Sequence, residues 1–148
     1  MVLYICYFQK SKSYNRQGLY MSTFIKNVGF ASAGIKYFFK NERNGKIQLV
    51  IGLLVISLGL VVNLSTVEWC IILGCIALVI ALEMVNTSLE RVCDMLSTEY
   101  HPMIKIIKDV AAGAVLWAAI FCATIGCIIF TPHLLMLFAD KPIIITKP

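Results

Sequence analysis

Glu83, Asn86, Thr87, Glu90 and Asp94 follow one another at intervals of 3, 1, 3 and 4 residues. At about 100° per residue, with Glu83 at 0°, all five fall within about 60° either side, so one helix would carry them as a single polar stripe. These residue types suit proton and cation chemistry. A carboxylate in apolar surroundings can remove a proton, and one nearer water can hold a divalent cation. Glu83 lies deeper in the apolar sequence than Glu90, so the two would divide those jobs, with Asn86 between them. The alternatives for the same stripe are a polar seam that joins helices, or an ion path. Carboxylates at membrane depth cost several kcal/mol each unless something pairs with them. Lys105 and Lys108 are candidate partners, and bound metal ions are others. Lys108-Asp109 directly precedes Ala111-Ala112-Gly113-Ala114, four small residues that let a ligand or another helix approach the backbone.

The elements that must position this stripe are apolar and long. The chain has 148 residues, 59% of them hydrophobic and 14% charged, against about 25% charged in an average soluble domain. Charge is absent from residues 47–67, 69–82 and 110–139. Runs of about 20 apolar residues read as membrane spans. We therefore expect an all-α integral membrane protein with spans at about 47–67, 69–94 and 109–130. An amphipathic helix should precede them over residues 24–40. There Phe24, Val28, Ala31, Ile35, Phe38 and Phe39 share one face, opposite Lys26, Lys36 and Lys40, as suits a helix in the membrane interface. Asn63 to Thr66 predicts a short turn, Ser97 to Pro102 a polar hinge, and Pro132 the end of the regular part of the third span. Basic residues cluster before the first span and between the second and third. The positive-inside rule puts the amino terminus and the hinge in the cytoplasm and the carboxyl terminus outside. His133 is read as an interfacial residue.

This composition excludes a soluble enzyme, a nucleic-acid binder and a disordered linker. The sequence has no phosphate-binding G-x-x-x-x-G-K-[ST] loop, no protein-kinase signature and no G-x-S-x-G elbow. Nucleotide chemistry here would rest on carboxylates, a metal and lysine. Cys70, Cys75, Cys122 and Cys127 lie inside apolar runs, where the thiol packs as a small hydrophobe. Residues 1–20 form an extension without signal-peptide features, and Met21 opens a more regular pattern as a candidate start. The principal domain is expected over 21–137, with a short tail at 138–148.

Two long segments and a third, partial one carry a resemblance. Glu83-Met-Val-Asn86-Thr87-Ser-Leu-Glu90-Arg-Val-Cys-Asp94 resembles the E-x-x-N-[ST]-A-I-E-x-x-x-D signature of the prokaryotic diacylglycerol kinase family, which includes the undecaprenol kinases. Lys105-Ile-Ile-Lys108-Asp109-Val-Ala-Ala-Gly-Ala-Val is similar to the second family signature, and Gly34 with Glu42-Arg43-Asn44-Gly45-Lys46-Ile47 to its interfacial helix and the entry to its first span. Ser88-Leu89 replaces the usual Ala-Ile, and Gln48 stands where many undecaprenol-kinase-like members have His. The resemblance implies a lipid kinase of the bacterial cytoplasmic membrane, assembled as a homotrimer whose active sites are shared between neighbouring subunits. It implies ATP as phosphate donor, Mg²⁺ as cofactor and a membrane lipid alcohol as acceptor, undecaprenol first and diacylglycerol as the alternative. Carried over, Glu83 is the catalytic base, and Glu42 and Glu90 are the magnesium carboxylates. Phe30, Glu99, Tyr100, His101, Lys108 and Asp109 join those two around the nucleotide. Asn86 and Ala112 lie with Glu83 at the lipid, and Asp94 and Lys105 support the site. A small proton-coupled transporter would also use intramembrane carboxylates, but it leaves Glu42, Lys108 and Asp109 without a purpose.

Overall fold

The computed structural model describes residues 16–97 and 99–139. The first 15 residues of the expected extension and the tail from residue 140 lie outside them. The described residues form four helices and no strand: α1 (Arg16–Asn41), α2 (Arg43–Val61), α3 (Thr66–Leu96) and α4 (Pro102–Ala139). The described residues up to Asn41 make one compact unit and those from Glu42 onward a second.

Within the first unit, α1 begins eight residues before the expected interfacial helix, at Arg16 rather than Phe24. Phe24, Val28 and Ile35 are exposed along it. Asn41 closes its last turn by donating from Nδ2 to the Tyr37 carbonyl at 2.9 Å.

In the second unit, α2, α3 and α4 are each long and apolar enough to cross a membrane. The first expected span is shorter than its apolar run: α2 stops at Val61 because a turn intervenes. Asn63 takes φ 55°, a left-handed conformation that asparagine tolerates, and Leu64 N–H reaches back to the Gly59 carbonyl at 3.3 Å. Ser65 then caps α3. Its hydroxyl accepts from Glu68 N–H at 3.4 Å while the Glu68 carboxylate accepts from Ser65 N–H at 2.8 Å, so two helix-end donors are satisfied reciprocally.

The buried glycines of α2 are Gly45, Gly52 and Gly59, spaced by seven. A Cβ at Gly52 would stand 3.1 Å from Ile76 Cγ2, and one at Gly59 only 2.9 Å from both Leu64 and Trp69. Glycine is what lets α2 approach α3 there. Leu64, Ile72 and Phe130 form the buried core beside this contact, packed by Leu58, Trp69 and Leu134. Helix α3 is the central element, contacting both α2 and α4.

The hinge is confirmed in kind, but Pro132 does not end the third span. Helix α4 runs through Pro132 to Ala139. Proline removes the one backbone donor that would serve the Ile128 carbonyl, and the two carbonyls beside it are approached by side chains. Thr131 Oγ1 donates to Cys127 O at 2.6 Å, and His133 Nδ1 lies 3.0 Å from Ile129 O. At its other end, His101 takes a capping role: its Nδ1 accepts from Met103 N–H at 3.3 Å, directly before Pro102 in the first helical position.

Candidate active site

Helix α3 changes character along one face. Ile72, Ile76 and Ile80 lead, at helical spacing, to Glu83 and Asn86. Glu83 and Asn86 are the buried polar side chains among the described residues, 4% and 6% exposed. Their burial follows from the stripe geometry read in the sequence, because the face that α3 turns inward is the same over its whole length. Asn86 Nδ2 donates to Glu90 Oε1 at 3.0 Å, one turn on. Asn86 Oδ1 is buried with no hydrogen-bond partner. Such groups are scarce in folded proteins because each one forfeits its hydration.

Three ion pairs surround this segment. Arg91 of α3 donates to Glu42, the residue that opens α2. Lys108 of α4 donates to Asp94 of α3. Lys105 pairs with Asp109 one turn along α4. Of the two lysines expected to neutralise the stripe, Lys108 therefore does so at its outer member, whereas Lys105 is taken up within its own helix. Glu42, Arg91, Glu90, Asp94 and Lys108 thus lie where the same ends of α2, α3 and α4 meet.

The remaining expected residues are placed as follows. Glu99, Tyr100 and His101 form the connection from α3 to α4 and are exposed, with Glu99 N–H held by Ser97 Oγ at 3.2 Å. Ala112 is exposed on α4, beside Gly113, where an added Cβ would meet nothing. Phe30 is exposed on α1, in the first unit. Sequence reading missed Arg91, because a partner 49 residues away leaves no local signal. Among the described residues no three His, Cys, Asp or Glu side chains cluster into a metal cage. Magnesium does not require one: it commonly takes one or two carboxylates plus substrate phosphates and water. Glu90 and Glu42 are oxygen donors of that type, part-exposed at the helix ends.

Buried carboxylate, amide-held carboxylate and paired lysine form a set suited to handling a polyanionic substrate beside an apolar one. The chain is similar to proteins with that chemistry. The profile of the family described as prokaryotic diacylglycerol kinase matches residues 29–130. The undecaprenol kinase of Bacillus subtilis is 36% identical over 114 residues, covering 77% of this chain and 93% of that protein. A diacylglycerol kinase of Synechocystis is 38% identical over 109 residues, covering 73% of this chain and 62% of that protein. The diacylglycerol kinase of Escherichia coli K12 is 27% identical over 109 residues, 74% of this chain and 89% of that protein. The family match spans α2 and α3 entire and most of α4, with the buried Glu83 and Asn86 inside it, and the chain therefore belongs to the prokaryotic diacylglycerol kinase family and is a lipid kinase.

Proposed function

We propose that the protein transfers the γ-phosphoryl group of ATP to the hydroxyl of undecaprenol, with diacylglycerol as the alternative acceptor. The observation that carries this reading is the position of Glu83: buried, on the inward face of α3, where an apolar helix face passes into one bearing carboxylates. A lipid hydroxyl arrives along the apolar side and a nucleotide from the side of the helix ends. Glu83 takes the hydroxyl proton as oxygen attacks phosphorus. Asn86 orients Glu90 through its bond to that carboxylate. Lys108, released from or shared with Asp94, and Asp109 contact the nucleotide, bordered by Glu99, Tyr100 and His101. Glu42 and Glu90 hold Mg²⁺, which when bound neutralises phosphate charge; phosphoryl transfer asks for little more than such positioning and neutralisation.

In this reading the carboxylate-bearing ends of the helices and the amino terminus face the cytoplasm, and three copies assemble around shared sites. Undecaprenol is placed first because the Asn86-Thr87 pair and the Ala111–Val115 run resemble the undecaprenol kinase branch, and the Bacillus subtilis relative is matched over 93% of its length. The test is purified protein in mixed detergent micelles with labelled ATP, each lipid offered separately. Label is expected in undecaprenyl phosphate with a higher kcat/KM than in phosphatidic acid. The reverse order reassigns the acceptor, and transfer to neither lipid by folded protein rejects the reading.

A further inference from the structure

At the end of the bundle remote from the carboxylates, a charged contact joins α3 to α4. Glu68 stands in the first turn of α3, about 22 Å before Glu83 along the axis at ~1.5 Å per residue. Its carboxylate Oε2 lies 3.7 Å from Nε2 of His133 on α4, and the two side chains are only 26% and 25% exposed. Glu68 is fixed independently of the histidine. The same Oε2 accepts from Ser65 N–H at 2.8 Å and from Ser65 Oγ at 2.7 Å.

The other ring nitrogen decides which protonation state this contact needs. His133 Nδ1 lies 3.0 Å from the Ile129 carbonyl oxygen. A carbonyl only accepts, so Nδ1 carries a proton. In a neutral ring Nε2 would then turn its lone pair toward a carboxylate, which also only accepts. Both contacts are favourable together only in the imidazolium, whose two nitrogens both donate. Few other groups at this end could compete for that charge. Helix α2 has no titratable side chain after Lys46, and the turn at 62–65 has none. Besides Glu68, the apolar length of α3 offers Cys70 and Cys75, and α4 offers Cys122 and Cys127. Asp140 and Lys141 lie outside the described residues.

We propose that Glu68 and His133 form a pH-sensitive latch between α3 and α4, closed when His133 is the imidazolium and released when it is neutral. The latch follows Pro132 directly, where α4 lacks a backbone donor, so closing it ties the last two turns of α4 to the start of α3. The inference stands apart from the kinase reading and does not depend on it. Its sign follows from which form is favoured. The folded protein gains from the protonated ring, so the stabilisation is fully present below the ordinary imidazole value of about 6.5 and is lost at higher pH. It is lost again in strong acid, once Glu68 takes up a proton and the pair has a single charge.

The experiment is a double-mutant cycle on the full chain in detergent micelles, read as melting temperatures at about pH 5.5 and about pH 8, either side of the imidazole range. Glu68→Gln removes the charge and keeps an oxygen for Ser65 N–H, because glutamine also serves at that position of a capping box. His133→Gln keeps a side-chain donor that does not titrate. At the acid pH the coupling between the two positions should hold the parent about 2–4 °C higher, and at the alkaline pH it should vanish or change sign. Nitrogen-15 spectra of the imidazole give an independent readout. The chain has two histidines, so His101→Gln leaves His133 as the one signal. Both ring nitrogens should carry protons at the acid pH and Nδ1 alone at the alkaline pH. These spectra leave Glu68 and His133 intact, so they decide the question even where a cycle variant fails to fold. An Nε2–H tautomer at either pH, a coupling equal at the two, or none at the acid pH would each overturn the proposal.

Discussion

Arg91 donates to the carboxylate of Glu42, tying the first residue of the second unit to the penultimate turns of α3. Glu42 has extended backbone and no side-chain cap of its own helix, so this ion pair is what fixes the direction of its carboxylate.

The pair is half-exposed on the arginine side, and exposed pairs contribute about 0.2–1 kcal/mol. Arg91→Ala should therefore lower the unfolding free energy by less than about 1 kcal/mol while raising KM for MgATP several-fold, because Glu42 loses its orientation. The exchanged pair Glu42→Arg with Arg91→Glu should recover the melting temperature but not the activity, since the carboxylate then sits on the wrong helix. Thermal melts and ATP titrations on the same preparations check both halves.

Glu83→Gln tests the proton acceptor. The substitution keeps size and burial and removes the charge. Loss of a general base lowers kcat by about 10²–10⁴-fold. Nucleotide affinity should stay within about twofold, because the contacts assigned to ATP lie elsewhere, and stability should hold or rise, since a buried carboxyl group is costly to keep without its substrate. Residual kcat above a tenth of the parent removes Glu83 from this role.

Asn86 differs from Glu83 in that its bond is visible. Asn86→Ala deletes the donor to Glu90, an i,i+4 bond within one helix, and such pairs contribute about 0.2–0.5 kcal/mol. A fall of less than about 1 kcal/mol in stability is expected, together with a higher Mg²⁺ requirement as Glu90 swings free. Asn86→Asp should be worse than alanine on both counts, because it sets a third carboxylate between Glu83 and Glu90. Magnesium titrations of the initial rate distinguish this from a simple packing loss, which would leave the requirement unchanged.

Much of this arrangement was legible in the sequence. The stripe from Glu83 to Asp94 needed only helical periodicity, and the burial of Glu83 and Asn86 agrees with it. Three spans, the Asn63 turn and the hinge before Pro102 followed from charge-free length and turn residues. Pairing between helices was legible only in part. Lys108 was expected to pair with the stripe and does so at Asp94, but Arg91 with Glu42 depends on the rotation of each helix about its axis, which no local pattern fixes. The Gly45-Gly52-Gly59 spacing was present in the sequence and signals a close approach, but glycine is common in apolar helices and the partner helix is invisible there. Pro132 misled because a proline inside a long apolar helix removes one backbone donor without having to end the helix.

The end of the bundle remote from the carboxylates supplies a control. Gly59, Leu64 and Trp69 are in close contact there, and Glu68, besides holding Ser65, lies 3.7 Å from His133 Nε2 on α4. A methyl added at Gly59 would meet two side chains at 2.9 Å, whereas one added at Gly74 meets nothing within 4 Å. Overpacking costs about 1–3 kcal/mol, so Gly59→Ala should melt well below the parent and Gly74→Ala close to it. At temperatures where both are folded, kcat and KM for ATP should match the parent in each, because neither glycine approaches Glu83, Glu90 or Lys108. A Gly59→Ala protein that melts normally would mean that α2 and α3 can separate at this end without loss. One that melts low and also loses ATP affinity would mean that the turn end controls the spacing of the helices at the carboxylates. The expected result, a stability defect with intact kinetics, requires the two ends of α3 to act independently across the apolar segment from Ile72 to Ile80.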